Sequence, residues 1–508
     1  MRFFLFLLII LFSLILRLYK LAEIPGEWFG DISNVHEYTQ EVMKGEWPFY
    51  FLQSPGPVYH YLIAPYVLLT PYAGYLTYKL VSVLVGMAGI WGVYLLAKEM
   101  FSRRVGLVTA WLMSFSFWPL VWSRLGNSQI VIPVIFAFGA FFFIRFVKKR
   151  NTLDILFSGF IASLGWYTYP QTFIFVPILF VCYLYFLMTK KMIMTKKYEI
   201  LLVFLVGIVL VFPLFQIIQN HPYNFESSGY IGKKTNYLLQ ESPISLTKQM
   251  LANYIKTFQM LYSQGDRVFR VNVSGSPIID SISTVFIILS IIYLITHNRI
   301  KVLLNIFIII CLLLVPSVLP TLSSVEIPSS SRSIAIQPLL YLLIALGIRK
   351  TFFIIQKKTF SYVRWILLFI FLVSCFVLVL VNISKYFTSY VFGLPNNNFA
   401  TGKKIAEYID NNINSSISVY FASCCWTDRG EPEPKAVAYT IQKQRDYIGD
   451  SNISDCKEVS RFPAIVIFGP NDKQKIDEYR KCFPDTKENF VVIREQLVFV
   501  YIKIQSRI

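Results

Sequence analysis

Residues 363–387 read VRWILLFIFLVSCFVLVLVNISKYF, and nothing between Arg364 and Lys385 carries a charge. A helix of roughly 20 apolar residues crosses a hydrocarbon core of about 30 Å, so the stretch reads as a membrane span over 361–384. Similar runs recur throughout the 508 residues. The chain is 55% hydrophobic, 17% aromatic and only 15% charged, and its mean hydropathy is +0.54. A soluble protein of this length carries far more charge. The runs predict about eleven spans, at roughly 3–22, 75–97, 105–122, 129–146, 152–168, 172–189, 199–218, 278–296, 301–316, 333–348 and 361–384. The first resembles a signal peptide, but no small-x-small cleavage site follows it, so it is read as an uncleaved span.

Charge orders these spans. KEMFSRR (98–104), RFVKKR (145–150), KKMIMTKK (190–197), HNRIK (297–301) and RKTFFIIQKK (349–358) are basic, whereas SRLGNSQ (123–129), YTYPQ (167–171) and 316–332 hold only Arg124 and Arg332. Basic short loops face the cytoplasm. The N-terminus is therefore expected inside the plasma membrane and the C-terminus outside. The net charge of +19 is explained by these loops, and no nucleic-acid partner is implied. Loops 23–74 and 219–277 fall outside, the second with a predicted helix in ISLTKQMLANYIKTFQMLYSQ.

Beyond Tyr386 the composition turns polar. Short β-type runs (SVYFAS, AIVIFG, NFVVIRE, LVFVYIKI) alternate with helical ones (KKIAEYIDNN, KAVAYTIQKQR, DKQKIDEYRKCF). The expected organisation is a transmembrane domain over 1–386 and a small extracytoplasmic α/β domain over 387–508. Cys424, Cys425, Cys456 and Cys482 lie in that domain, and three disulfide pairings are open.

Ionisable residues gather at outer span ends and in external loops: Asp31, Glu37, Lys79, Arg124, Asp266, Arg267, Asp280 and Arg332. A proton-coupled transporter or flippase would be expected to keep such groups near the midplane. WFGDISNVHEY (28–38) sets Asp31 behind bulky aromatics and Gly30. Two roles are open for Asp31, a general base with raised proton affinity or a cap for a helix starting at Ser33. Glu37 is read as structural or as a second carboxylate on the same face, and His36 as a solvent or interface residue. Arg124, after SFSFWPLVWSR, either snorkels to headgroups or binds phosphate; Arg332, the one cation of connector 316–332, is the stronger phosphate candidate. His60 is a candidate acceptor or headgroup contact, and Tyr167 and Tyr169 belong to an aromatic belt or to the same contact surface.

The segments LRLYKLAEIPGEWFGDISNVHEYTQEVMKGEWPFYF, PGPVYHYLIAPYVLL, SRLGNSQIVIPV, LGWYTYPQTFIFVPILF, GDRVFRVNVSGSPIID and VPSVLPTLSSVEIPSSSRSIAIQPLLYLL resemble the GT-C superfamily of membrane glycosyltransferases. The resemblance is to its protein O-mannosyltransferase and aminoarabinose-transferase relatives and covers roughly residues 1–385. It implies inverting transfer of a sugar from a polyprenyl-phosphate donor to an extracytoplasmic glycan, lipid or protein acceptor. Asp31 matches the first-loop base and Arg332 the arginine before a late span. Where the family often has Asp-Glu, Ile32 follows Asp31, so Asp31 acts alone or Glu37 substitutes in part. The first loop has no D-x-D, and no cofactor or metal is assigned. The alternatives are a glycan ligase or polymerase with a diphosphate-linked donor, for which only Arg267 and Arg270 qualify, and a lipid-linked sugar transporter or flippase.

Overall fold

The computed structural model describes residues 2–28, 31–45, 56–69, 74–189, 236–319, 327–358, 361–422 and 433–506, with 207, 212, 213 and 219. Its first unit comprises 1–19, 41–64 and 79–390, and its second 20–40, 65–78 and 391–508.

The helices of the chain's first part are α1 (Arg2–Leu18), α2 (Asp31–Met43), α3 (Val58–Leu69), α4 (Tyr75–Met100), α5 (Arg103–Phe115), α6 (Phe117–Trp122), α7 (Val131–Lys149), α8 (Thr152–Leu164), α9 (Phe175–Thr189), α10 (Pro243–Tyr262), α11 (Ser281–Thr296), α12 (Ile300–Val318), α13 (Gln337–Lys358) and α14 (Ser361–Ser384). A helix lies over each expected span except 199–218, which falls almost entirely outside the described residues. Among the described residues five helical segments are long and apolar enough to cross a membrane: 75–100, 128–149, 300–318, 334–357 and 362–393. The others are shorter, so the count of eleven stays an expectation.

Three boundaries differ from the sequence reading. The span at 105–122 is two helices, because α5 ends at Ser116, whose N–H returns to the Leu112 carbonyl before α6 begins. The basic stretch 349–358, read as a loop, continues α13 for further turns; no Gly or Pro interrupts it. The span expected at 278–296 starts at Ser281 because Asp280 caps α11, its Oδ1 accepting from Ser283 N at 2.8 Å.

Two buried arginines tie the helix ends of the first unit together. Arg17, near the end of α1, donates to the Ser114 carbonyl at 2.7 Å and the Met113 carbonyl at 3.0 Å. Arg124 donates in turn to the carbonyls of Leu16 (2.7 Å), Arg17 (2.6 Å) and Tyr19 (2.8 Å). The last carbonyls of a helix have no partner within it and carry its negative dipole end. Each arginine thus caps the C-terminus of the other's neighbouring helix, α5 and α1 respectively.

The C-terminal residues form α15 (Thr401–Asn412), β1 (Ser418–Phe421), α16 (Pro434–Thr440), β2 (Ile448–Asn452), β3 (Ala464–Phe468), α17 (Lys473–Cys482), β4 (Glu488–Ile493) and β5 (Gln496–Ile504). The sheet order is β2-β1-β3-β5-β4. β1 pairs in parallel with β2 and β3, whereas β5 runs antiparallel to β3 and β4. β3, AIVIF, is buried along its whole length as the central strand. Apolar side chains fill both faces: Ile405 and Ile409 of α15 pack with Val419 and Ile465, and Ile476 and Tyr479 of α17 with Val466 and Val500. Cys456 and Cys482 are disulfide-bonded; Cys424 and Cys425 lie outside the described residues. Arg445 repeats the capping device, donating to the carbonyls of Ile409 (2.6 Å) and Ile413 (3.0 Å) at the end of α15.

Candidate functional site

Within the second unit, the approach to Asp31 is fixed by residues 398–402. Gly26 N donates to Asn398 Oδ1 at 2.7 Å, and Asn398 Nδ2 donates back to the Glu23 carbonyl at 2.8 Å. Glu27, buried, accepts from Gly402 N at 2.5 Å through Oε2 and from Trp28 N at 3.1 Å through Oε1. Its carboxylate thereby sits at the N-terminus of α15, where backbone N–H groups lack intrahelical partners and favour negative charge. A Cβ on Gly26 would lie 3.0 Å from that of Ala400, so the chain passes close here because residue 26 has no side chain.

Asp31 opens α2, two residues earlier than the sequence suggested. One face of the helix is polar and docked. Ser33 Oγ donates to Glu433 Oε2 at 2.8 Å, and Lys435 Nζ donates to Asn34 Oδ1 and lies 3.8 Å from both Glu37 and Glu433. Glu37 is exposed and held in that ion pair. His36, expected in solvent or at an interface, is packed among aromatic rings. Its Nδ1 is 2.7 Å from the Tyr78 hydroxyl, and its ring lies 4.3 Å from that of Tyr439 and 5.6 Å from that of Trp28. Trp28 also meets Tyr75 and Tyr78 at 5.2 and 5.4 Å. Burial among these rings pushes the imidazole pKa down to about 4, because the charged form would lose its water. The helix that begins at Asp31 is thus clamped on two sides.

The phosphate candidates lie in the first unit. Arg332 is half-buried just before α13, and its backbone is held at both its carbonyl and its N–H. Ser317 Oγ at the end of α12 donates to its carbonyl, its own N–H donates to Ser329 Oγ at 3.3 Å, and Ser330 is gripped by Asp266. Asp266, 1% exposed, accepts from Ser330 N at 2.7 Å and Ser330 Oγ at 2.8 Å through Oδ2, and from Val268 N at 2.9 Å through Oδ1. Burial raises the pKa of this carboxyl, and the hydrogen bonds with nearby Arg270 pull against that rise. The loop around it is tight. Gly265 N donates to the Gly275 carbonyl and Gly275 N to the Asp266 carbonyl, each at 2.9 Å, Asn272 Nδ2 donates to the carbonyls of Asp266 and Ser276, and a Cβ on Gly265 would lie 1.7 Å from the Ser276 oxygen. Only glycine fits there. The sequence placed Asp266 at the outer surface without a role; the signal was GDRVFRVNVSGSP, a lone carboxylate between glycines.

Arg124 is the correction. It is fully buried, and besides the carbonyls of Leu16, Arg17 and Tyr19 its Nε donates to the Tyr386 hydroxyl at 2.8 Å. Four directed hydrogen bonds inside the protein account for neither snorkelling nor a phosphate ligand. Arg17 was missed altogether, although a lone Arg within LILRLYK was its signal. His60, the candidate acceptor or headgroup contact, is fully buried on α3, beside Tyr59, whose hydroxyl meets Ser82 Oγ at 2.5 Å. Tyr167 and Tyr169 are half-buried on a turn closed by Thr168 Oγ1, which donates to the Gly165 carbonyl at 2.8 Å, and by Thr172 Oγ1, which donates to the Tyr169 carbonyl at 2.6 Å. Among the described residues no group of three His, Cys, Asp or Glu could hold a metal ion.

Over nearly all of its length the chain superposes on a solved structure. ArnT from Cupriavidus metallidurans in the apo state matches with a TM-score of 0.56 at 11% identity, covering 98% of this chain and 97% of that one. The chain has a GT-C fold. The ArnT structure bound to undecaprenyl phosphate matches the same GT-C frame with a TM-score of 0.52, 11% identity and the same coverage. The model of the family described as dolichyl-phosphate-mannose-protein mannosyltransferase matches residues 54–216. No curated protein matches the chain. The fold that the sequence resemblance implied is the one this superposition shows over 98% of the chain.

Proposed function

We propose that this GT-C protein is a membrane glycosyltransferase that moves a sugar from a polyprenyl-phosphate donor to an acceptor outside the cytoplasm. The supporting observation is a GT-C frame over the full length together with an anchored first-loop helix opened by Asp31. Undecaprenyl phosphate in the similar ArnT structure supports the donor class. Asp31 takes the proton of the acceptor hydroxyl as its oxygen attacks the anomeric carbon; the glycosidic bond forms as the bond to the polyprenyl phosphate breaks, and the centre inverts. Arg332 stabilises the charge that develops on the departing phosphate, with its fork of N–H donors matched to phosphate oxygens. Arg124 has no part in this, and Glu37 is a secondary carboxylate at most.

The domain division at about residue 386 and an outward-facing C-terminal domain belong to the same proposal. The alternating basic loops support that orientation, as does the Cys456–Cys482 disulfide, since such bonds persist in oxidising compartments. A C-terminal alkaline phosphatase fusion should be active, and a cytoplasmic reporter at the same point silent. The purified protein in nanodiscs should transfer sugar from a polyprenyl-phosphate donor. Activity confined to diphosphate-linked donors would favour the ligase or polymerase reading.

A further inference from the structure

A second feature of the first unit lies among the basic connectors. A cavity of about 510 Å³ is lined by Arg103 and Arg104 at the start of α5, Arg299 before α12, and Arg349 and Lys350 of α13, with Tyr293 and Phe353 in its walls. Five cations line it and no carboxylate does. We propose that this cavity binds a phosphate-bearing anion, and that it is a site separate from the one that handles the sugar donor.

Three observations carry the proposal. None of the five side chains forms an ion pair or donates a hydrogen bond to a described residue. Arg349 is the sharpest case, because its Nη1 is buried without a partner, while Arg104 is near enough to repel its charge. A buried donor left unmade is costly, and like charges gathered without an anion add to that cost. Second, aromatic rings hold the cations in place. Lys350 Nζ lies 4.2 Å from the Tyr293 ring centre, and Arg349 lies 5.8 Å from that of Phe353 and 5.9 Å from that of Phe352. Third, Arg103 and Arg104 occupy the first positions of the 13-residue α5, whose N-terminal N–H groups lack intrahelical acceptors and favour an anion. The Ser102 side chain caps only Val105 N, at 3.3 Å.

The tendency of basic residues to collect in cytoplasmic loops explains their number but not their convergence on one cavity. A lipid phosphate headgroup and free phosphate share the chemistry that fits. Only the naming of this face as cytoplasmic rests on the topology proposed above; the anion binding does not depend on glycosyl transfer, and an inactive enzyme would leave it intact.

The test uses the full chain in detergent, with phosphatidylglycerol in mixed micelles and inorganic phosphate as separate probes and phosphatidylcholine as control. At least one anionic probe should raise the melting temperature saturably. In the double variant Arg104→Gln, Arg349→Gln its midpoint should rise at least tenfold, while melting without probe stays equal or increases because repulsion is relieved. A response to phosphatidylglycerol alone identifies a lipid headgroup, and a response to phosphate identifies a soluble ligand. Should the double variant not fold, Arg299→Gln, at an exposed loop position, serves the same comparison. No response to either anion, or equal midpoints in wild type and variant, overturns the proposal.

Discussion

Replacing Arg124 by Met keeps most of the side-chain volume and removes the guanidinium. Four hydrogen bonds disappear, to Tyr386 and to the carbonyls of Leu16, Arg17 and Tyr19. A hydrogen bond from a charged group is worth about 1.5–3 kcal/mol net, but the four share one side chain, and deleting the cation also removes its desolvation cost. The expected loss is therefore about 3–5 kcal/mol rather than the sum. Arg124→Lys should recover only part of it, since an ammonium cannot reach carbonyls spread along the end of α1. The assay is reversible unfolding by SDS in mixed micelles, paired with donor binding measured on the folded fraction. The account predicts weakened folding and near-normal donor affinity per folded molecule. A variant of wild-type stability that has lost donor binding would refute the capping role and return Arg124 to the phosphate site.

Arg332→Lys should lower transfer more than about tenfold while leaving melting unchanged, because the lost property is the bidentate fork; wild-type turnover would remove Arg332 from the site. Asp266→Asn should reduce both stability and transfer, since Ser330 and Val268 lose a charged acceptor at about 1–3 kcal/mol for each group left unmet; rates and melting that both match wild type would contradict it. Burial holds His36 at a pKa of about 4, below its ordinary value near 6.5. Its contribution to stability is therefore complete above about pH 6.5 and is lost as pH falls towards 4, by of order 1–3 kcal/mol. Melting curves from pH 7 to 4 should show that loss in the wild type and a flatter profile in His36→Gln; identical profiles would sink the assignment.

Much of the fold was legible because apolar length and period-two alternation are local signals. Residues 361–384 and the central strand 464–468 could be placed from sequence for that reason. β2 was not, since IGDSN has almost no β-forming residue and is a strand only because β1 offers an edge beside it. The break at Ser116 and the continuation of α13 past Ile348 depend on local backbone bonding that hydropathy does not register. At the candidate site, sequence picked out the ionisable residues but not their partners. Arg124 and Arg332 both looked like lone cations at outer span ends. Their difference lies in which carbonyls and serines surround them, and those come from residues up to a hundred or more positions away. His36 looked unpartnered because Tyr78 and Tyr439 are distant in the chain.

The central claim is that Asp31 is the general base, and the direct measurement is transfer from a polyprenyl-phosphate sugar by Asp31→Asn and Glu37→Gln in nanodiscs, with melting as the folding control. The amide keeps the carboxylate's shape and the helix start but cannot accept the proton, so the rate should fall by about 10²–10⁴-fold with melting nearly unchanged. Glu37→Gln, which loses only an exposed ion pair to Lys435, should cost little. Normal turnover by Asp31→Asn would contradict the account, and a dead Glu37→Gln beside it would show that the wrong carboxylate had been chosen.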